Sequence, residues 1–106
     1  MNTRFDRLMS RADEVLFDAF GEGARYQYGI GTPSITGITV VVSHNVESAG
    51  ADGVFRVIQH LAEIRLSEVP NPTAQALLTV GCKRYRLDER IRTDGLVEYW
   101  SLLPER

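Results

Sequence analysis

Cysteine occurs once in these 106 residues, at Cys82. A lone thiol has no internal partner, so cohesion must come from packing; a reducing cytoplasm is compatible and no oxidising compartment is implied. Long apolar runs are also missing. The opening MNTRFDRLMSRADEVLFDAF carries charges throughout and reads as neither a signal peptide nor a membrane anchor, so the protein is expected to be soluble where it is made. No repeat of domain-building length and no low-complexity tract is visible. Charge of one sign is not in excess either: the formal net charge is −2. That balance argues against a general nucleic-acid binder, whose affinity rests on many phosphate neutralisations.

The motifs of common chemistries are absent as well. His44 and His60 lie on apparent strand segments without a nucleophile elbow or other local motif, and read as surface or core histidines. A zinc site drawn from His44, His60 and Cys82 has no CxxC or HxxxH spacing behind it. GIGTPSITG lacks the GK[ST] of a phosphate-cradling loop and precedes a strand where that loop would open a helix, and no strand leads into GEG. Asp88 and Glu89 are neighbours on an expected strand and so point to opposite faces, which prevents them from acting on one substrate atom. No catalytic residue, metal ligand or cofactor site is assigned, and the chain is not expected to be an enzyme.

What is present is an ordinary globular balance, with 25% charged and 43% hydrophobic residues. The length fits one domain, residues 1–106, that buries roughly two-thirds of the surface its unfolded chain exposes. From Thr3 to Phe20 the apolar residues Phe5, Leu8, Met9, Ala12, Val15, Leu16, Ala19 and Phe20 recur at three- and four-residue spacing. This is the mark of an amphipathic helix, with Thr3 as N-cap and Gly21 at the position where a left-handed residue is wanted. The helix is expected over residues 1–21, either packed on the domain or docked elsewhere.

After Gly21 the texture becomes β. Ala24–Tyr28 is short and aromatic, and Ile35–Val46 is rich in valine, isoleucine and threonine. Alternation places Ile38, Val40, Val42, His44 and Val46 on one side. VFRVIQHLAEIRL fits helical spacing at Val54, Val57, Ile58, Leu61 and Ile64. Its β surroundings and the prolines that follow favour a strand, bent by a bulge near Leu61. Three further strands follow in QALLTV, KRYRLDERIR and LVEYWSLL, separated by turns at Gly81 and Thr93–Gly95. With Asp94-Gly95 as a two-residue loop, Thr93 faces Leu96, Arg90 faces Tyr99 and Leu87 faces Leu102; a three-residue loop instead sets Arg90 opposite Glu98. The expected class is α+β, mainly β: an N-terminal amphipathic helix before a small antiparallel barrel or sandwich over residues 22–106.

CKRYRLDERIR holds five basic residues within eleven. Strict alternation puts Arg84, Arg86, Arg90 and Arg92 on one face, with Tyr85, Leu87 and Ile91 on the other. Arginine's planar fork suits carboxylates on a protein partner as well as phosphates, so these four are the candidate partner interface; a solvated sheet face is the plain alternative. Glutamate at Arg86 and Arg90 is expected to leave the fold intact.

The order of these pieces resembles the short head–tail joining (attachment) proteins of lambda-like tailed phages and prophages. The resemblance rests on FDRLMSRADEVLFDAFGEGARY, with its Ala12-Asp13-Glu14 element, and on SEVPNPTAQALLTVGCKRYRLDERIRTDGLVEYWSLL, with Gly81 to Tyr85 and the aromatic Tyr99-Trp100. It implies a non-enzymatic virion protein of the neck, assembled in the host cytoplasm and placed between the portal or connector and the tail proteins. Its other implied neighbours are further copies in a neck ring and DNA in the channel, with no membrane. A tail terminator or head-closure ring is the related alternative. A reading from another class is a cytoplasmic β-barrel module binding nucleic acid or a ligand through the four arginines and Tyr99.

Overall fold

The computed structural model describes residues 20–49 and 53–105, so the expected helix lies outside them except for Phe20. The described residues form six strands: β1 Glu22–Gln27, β2 Ser34–Ala49, β3 Phe55–Arg65, β4 Leu77–Val80, β5 Lys83–Thr93 and β6 Val97–Glu105. Every pairing is antiparallel, in the order β1-β2-β3-β6-β5-β4, and β1 also pairs with β4, which closes the sheet into a barrel. Closure satisfies the strand edges that an open sheet would leave unpaired.

Period-two alternation selects the core. Ile38 and Val40 of β2, Ala62 and Ile64 of β3, Leu78 of β4, Leu87 of β5, and Trp100 and Leu102 of β6 turn inward with Tyr26 of β1. Each large side chain buried this way contributes about 1.5–3 kcal/mol relative to exposure. Ile38, Val40 and Val42 thus face the side expected of them. Val41, on the opposite side, is nonetheless buried in a second small cluster with Val97, against which Tyr99 packs.

Residues 54–66 carried a helix-like spacing, yet Phe55–Arg65 is a strand in unbroken register with β2, without a bulge at Leu61. Its apolar residues fall on both faces and so mimic a longer period: Ala62 and Ile64 enter the core, whereas Leu61 pairs with Ser43 and Ser101 in the outward rows. The irregularity sits in the partner strand, where Asn45 has φ 54. Beyond it the β2–β3 hairpin becomes an arm, because β6 pairs with β3 only over Leu61–Arg65.

The connection from β3 to β4 covers one end of the barrel. β3 ends at Arg65, ahead of the prolines expected to stop it, where the Glu68 and Val69 N–H groups donate back to the Arg65 carbonyl; Val69, Pro72 and Ala76 of the connection are buried. Two tyrosines of the β1 segment pin it: the Tyr26 hydroxyl accepts the Thr73 N–H at 3.0 Å, and the Tyr28 hydroxyl donates to the Pro70 carbonyl. The other end, ringed by His44, His60, Lys83 and the Gly81-Cys82 turn, stays open to a cavity of about 350 Å³ that His44 lines.

The β5–β6 turn differs from both expected forms. The two-residue loop is Gly95-Leu96, one position later than Asp94-Gly95, since the Asp94 N–H donates to the Val97 carbonyl at 3.2 Å. Only Gly95 takes positive φ (89°). Asp94 is more useful beside the loop than in it: its Oδ1 accepts the Leu96 and Val97 N–H groups, both at 2.8 Å.

Candidate functional site

The register of β5 against β6 decides what the basic run can do. Arg84 stands opposite Glu105, Arg86 opposite Leu103 and Leu87 opposite Leu102; Arg90 then falls opposite Trp100 and Arg92 opposite Tyr99, with shifts between Leu87 and Arg90 and between Arg90 and Arg92. Directly opposed residues share a face. Arg84, Arg86 and Arg92 are therefore in the outward rows, while Arg90 belongs to the row of the buried Trp100. The expectation of one face for all four arginines is corrected: each bulge inserts one residue and resets the alternation. The first is tied by Ser101, whose Oγ accepts the Glu89 N–H at 3.1 Å and donates to the Glu89 carbonyl at 3.3 Å.

Three of the four guanidinium groups are engaged within the chain. Arg86 grips Glu105 bidentately, Nε to Oε2 at 3.0 Å and Nη2 to Oε1 at 2.9 Å. This pairing raises the Arg86 pKa and lowers that of Glu105, in both cases chiefly through the hydrogen bonds between them. Arg90 reaches Oε2 of Glu98 at 3.5 Å, and Oε1 of that buried carboxylate accepts the Trp100 Nε1–H at 3.0 Å. The Arg92 guanidinium carbon lies 4.2 Å from the centroid of the Tyr99 ring, a cation–π contact. Neither Arg84 nor Arg92 makes an ion pair among the described residues, although Arg84 stands opposite Glu105 and helps to lower its pKa. Glutamate at positions 86 and 90 would thus confront Glu105 and Glu98, so that pair of changes does not isolate a surface charge.

Apolar exposure marks a second region. Val54, Phe55 and Val57 are exposed on the arm, Phe55 by 72%. Between the arm and the outward side of the sheet runs a groove of about 500 Å³, floored by Val46, Ile58, Leu61 and Ile91 and flanked by Arg92 and Tyr99. The β surroundings of this stretch foretold a strand but not that its first half would leave the barrel; three apolar residues in VFRV, too many for a solvated strand end, were the available sign.

The two histidines, sixteen residues apart in sequence, meet as directly opposed partners of β2 and β3. Their Nδ1 atoms are 3.0 Å apart and their rings nearly perpendicular, with the Tyr85 ring 5.5 Å from that of His60. Burial first, then His44 and Lys83, push the His60 pKa below its ordinary value. Cys82 is exposed. Among the described residues no helix is long and apolar enough to cross a membrane.

Compared with protein families, residues 1–103 match the model described as Phage Head-Tail Attachment protein. Comparison with curated proteins gave no match.

Proposed function

This chain belongs to the phage head–tail attachment family, and from that premise we propose that it is a non-enzymatic neck protein that docks through its β2–β3 arm. It has a structural role in head–tail joining. In the finer reading it assembles in the host cytoplasm as a ring of copies between portal and tail proteins, as a single domain. The observation that carries the docking surface is the arm itself: Val54, Phe55 and Val57 are held in water, past the end of the β3–β6 pairing. Clustered apolar exposure of this kind marks interaction sites, and aromatic residues together with arginine are enriched at interfaces. Arg84 and Arg92 supply outward charge that can steer and orient an acidic partner. Arg86 and Arg90 hold the strand pair instead.

A ring repeats each surface around one axis, so contacts too weak for one copy become an ordered multivalent face after assembly. The test is complementation of a joining-defective phage, with free heads, free tails and joined particles counted by electron microscopy. A Phe55→Ser/Val57→Ser variant, exposed at both positions and therefore folded, is expected to accumulate unjoined heads and tails. Arg84→Gln, which removes the charge without placing a second carboxylate opposite Glu105, is expected to lower the yield further in that background. Wild-type yields from both variants would remove the arm and Arg84 from the docking surface.

A further inference from the structure

The His44–His60 pair has no part in the docking just described, and its geometry suits a different task. Each neutral imidazole offers one in-plane lone pair, and the two Nδ1 atoms face each other at 3.0 Å across the β2–β3 register. We propose that His44 and His60 together bind a divalent transition-metal ion, Ni(II) or Cu(II) ahead of Zn(II), which fastens the base of the β2–β3 arm.

The preference follows from the separation. With metal–nitrogen bonds of about 2.0–2.1 Å, nitrogens 3.0 Å apart subtend roughly 91–97° at the metal. That is the angle between adjacent ligands in square-planar or octahedral coordination, which Cu(II) and Ni(II) favour, whereas a tetrahedral Zn(II) site needs a wider spread. In the metal-free pair one Nδ1–H donates to the other Nδ1. Loading moves that proton to Nε2 of the same ring, so both Nδ1 atoms become donors to the metal and the neutral pair loses no proton overall.

Access and charge are compatible with an open site. His44 is exposed and lines the cavity at the barrel mouth together with Glu22 of β1, Cys82 of the turn, and Lys83 and Tyr85 of β5. Among the described residues no third ligand completes a cluster, so water would fill the remaining positions. Lys83 opposes an incoming dication and Glu22 favours it.

The experiment is calorimetric titration of Ni(II) into the full-length, untagged, chelator-treated protein near neutral pH; Ni(II) avoids the thiol oxidation that Cu(II) can cause at Cys82. One ion per chain is expected. His44→Asn and His60→Asn should each weaken binding at least about tenfold. Lys83→Met should tighten binding and Cys82→Ser leave it unchanged. Ni(II) should also raise the unfolding temperature of the parent protein and not of the His44→Asn variant, because a ligand of the folded state stabilises it by mass action. Circular dichroism checks that each variant folds; should His60→Asn fail, the exposed His44→Asn decides. Absence of saturable binding by the parent, or binding retained in His44→Asn, overturns the site.

Discussion

Arg90→Met is expected to lower stability by about 1–2 kcal/mol, although the sequence presents Arg90 as one more surface arginine. Glu98, with its side chain 9% exposed, sets its carboxylate in the row of the buried Trp100, and Arg90, 57% exposed, is its ion partner. Removing one member of a fully buried pair costs about 3–5 kcal/mol, while exposed pairs contribute about 0–1 kcal/mol. This pair lies between those limits: the carboxylate is desolvated, but the guanidinium is half in water, the contact is 3.5 Å, and the Trp100 Nε1–H remains on the other oxygen. In a domain of this size each kcal/mol shifts the melting temperature by about 4–8 °C, so a fall of roughly 5–15 °C is expected. Urea unfolding followed by Trp100 fluorescence, with thermal circular dichroism beside it, measures the loss. Glu98→Gln removes the charge and keeps an acceptor for Trp100, so Arg90→Met in that background should cost little. An equal loss in both backgrounds, or no loss in the first, would refute the buried-carboxylate account of Arg90.

Three further outcomes follow from the packing. Leu87→Ala, at a fully buried position facing Leu102, should cost about 2–5 kcal/mol in urea unfolding, the range for a large-to-small core change. Tyr26→Phe should cost about 1 kcal/mol at neutral pH by taking the acceptor from the Thr73 N–H. It should also flatten the alkaline limb of the stability curve: burial raises the Tyr26 pKa, so the folded state retains a proton that the unfolded state releases, and stability falls as pH rises past the ordinary tyrosine value. Glu105 has the opposite sign. Arg86 depresses its pKa, so its contribution is present above the usual carboxylate range and is lost as pH falls through the depressed value. The stability gap between the parent and Glu105→Gln should therefore close on acidification, as followed by urea titrations across pH.

Much of the barrel is legible in local chemistry. The β-branched run marks β2, and Gly81 and Gly95 mark the turns that join β4, β5 and β6, whereas β3 stops at Arg65, ahead of the prolines expected to end it. The Leu87–Leu102 pairing matches the register expected from an Asp94-Gly95 loop, although the loop is Gly95-Leu96 and the pairing is restored by the two shifts in β5. The readings of β2 and of the turns need only a residue's own propensity and the period-two alternation of a strand. The strand over Phe55–Arg65 is a weaker case: its apolar residues serve two faces, and only the β context distinguished it from a helix.

The basic run shows where such reading ends. Alternation is a local rule, and a single extra residue reverses every side chain after it. Whether that residue exists is decided across the strand pair: by Ser101 holding both backbone groups of Glu89, and by Asp94 taking two amides and moving the turn to Gly95-Leu96. The two resulting shifts leave Leu87 opposite Leu102 as expected and yet carry Arg90 from the outward face to the row of Trp100. The sixteen residues between His44 and His60 likewise conceal a contact made only by the β2–β3 register. Composition and periodicity pointed to a mainly antiparallel β protein without a recognisable catalytic motif, preceded by a helix that lies outside the described residues. Which charges face outward, which hold the strands together and which histidines meet was decided by the tertiary structure alone, because inter-strand hydrogen bonds set register and register sets the face.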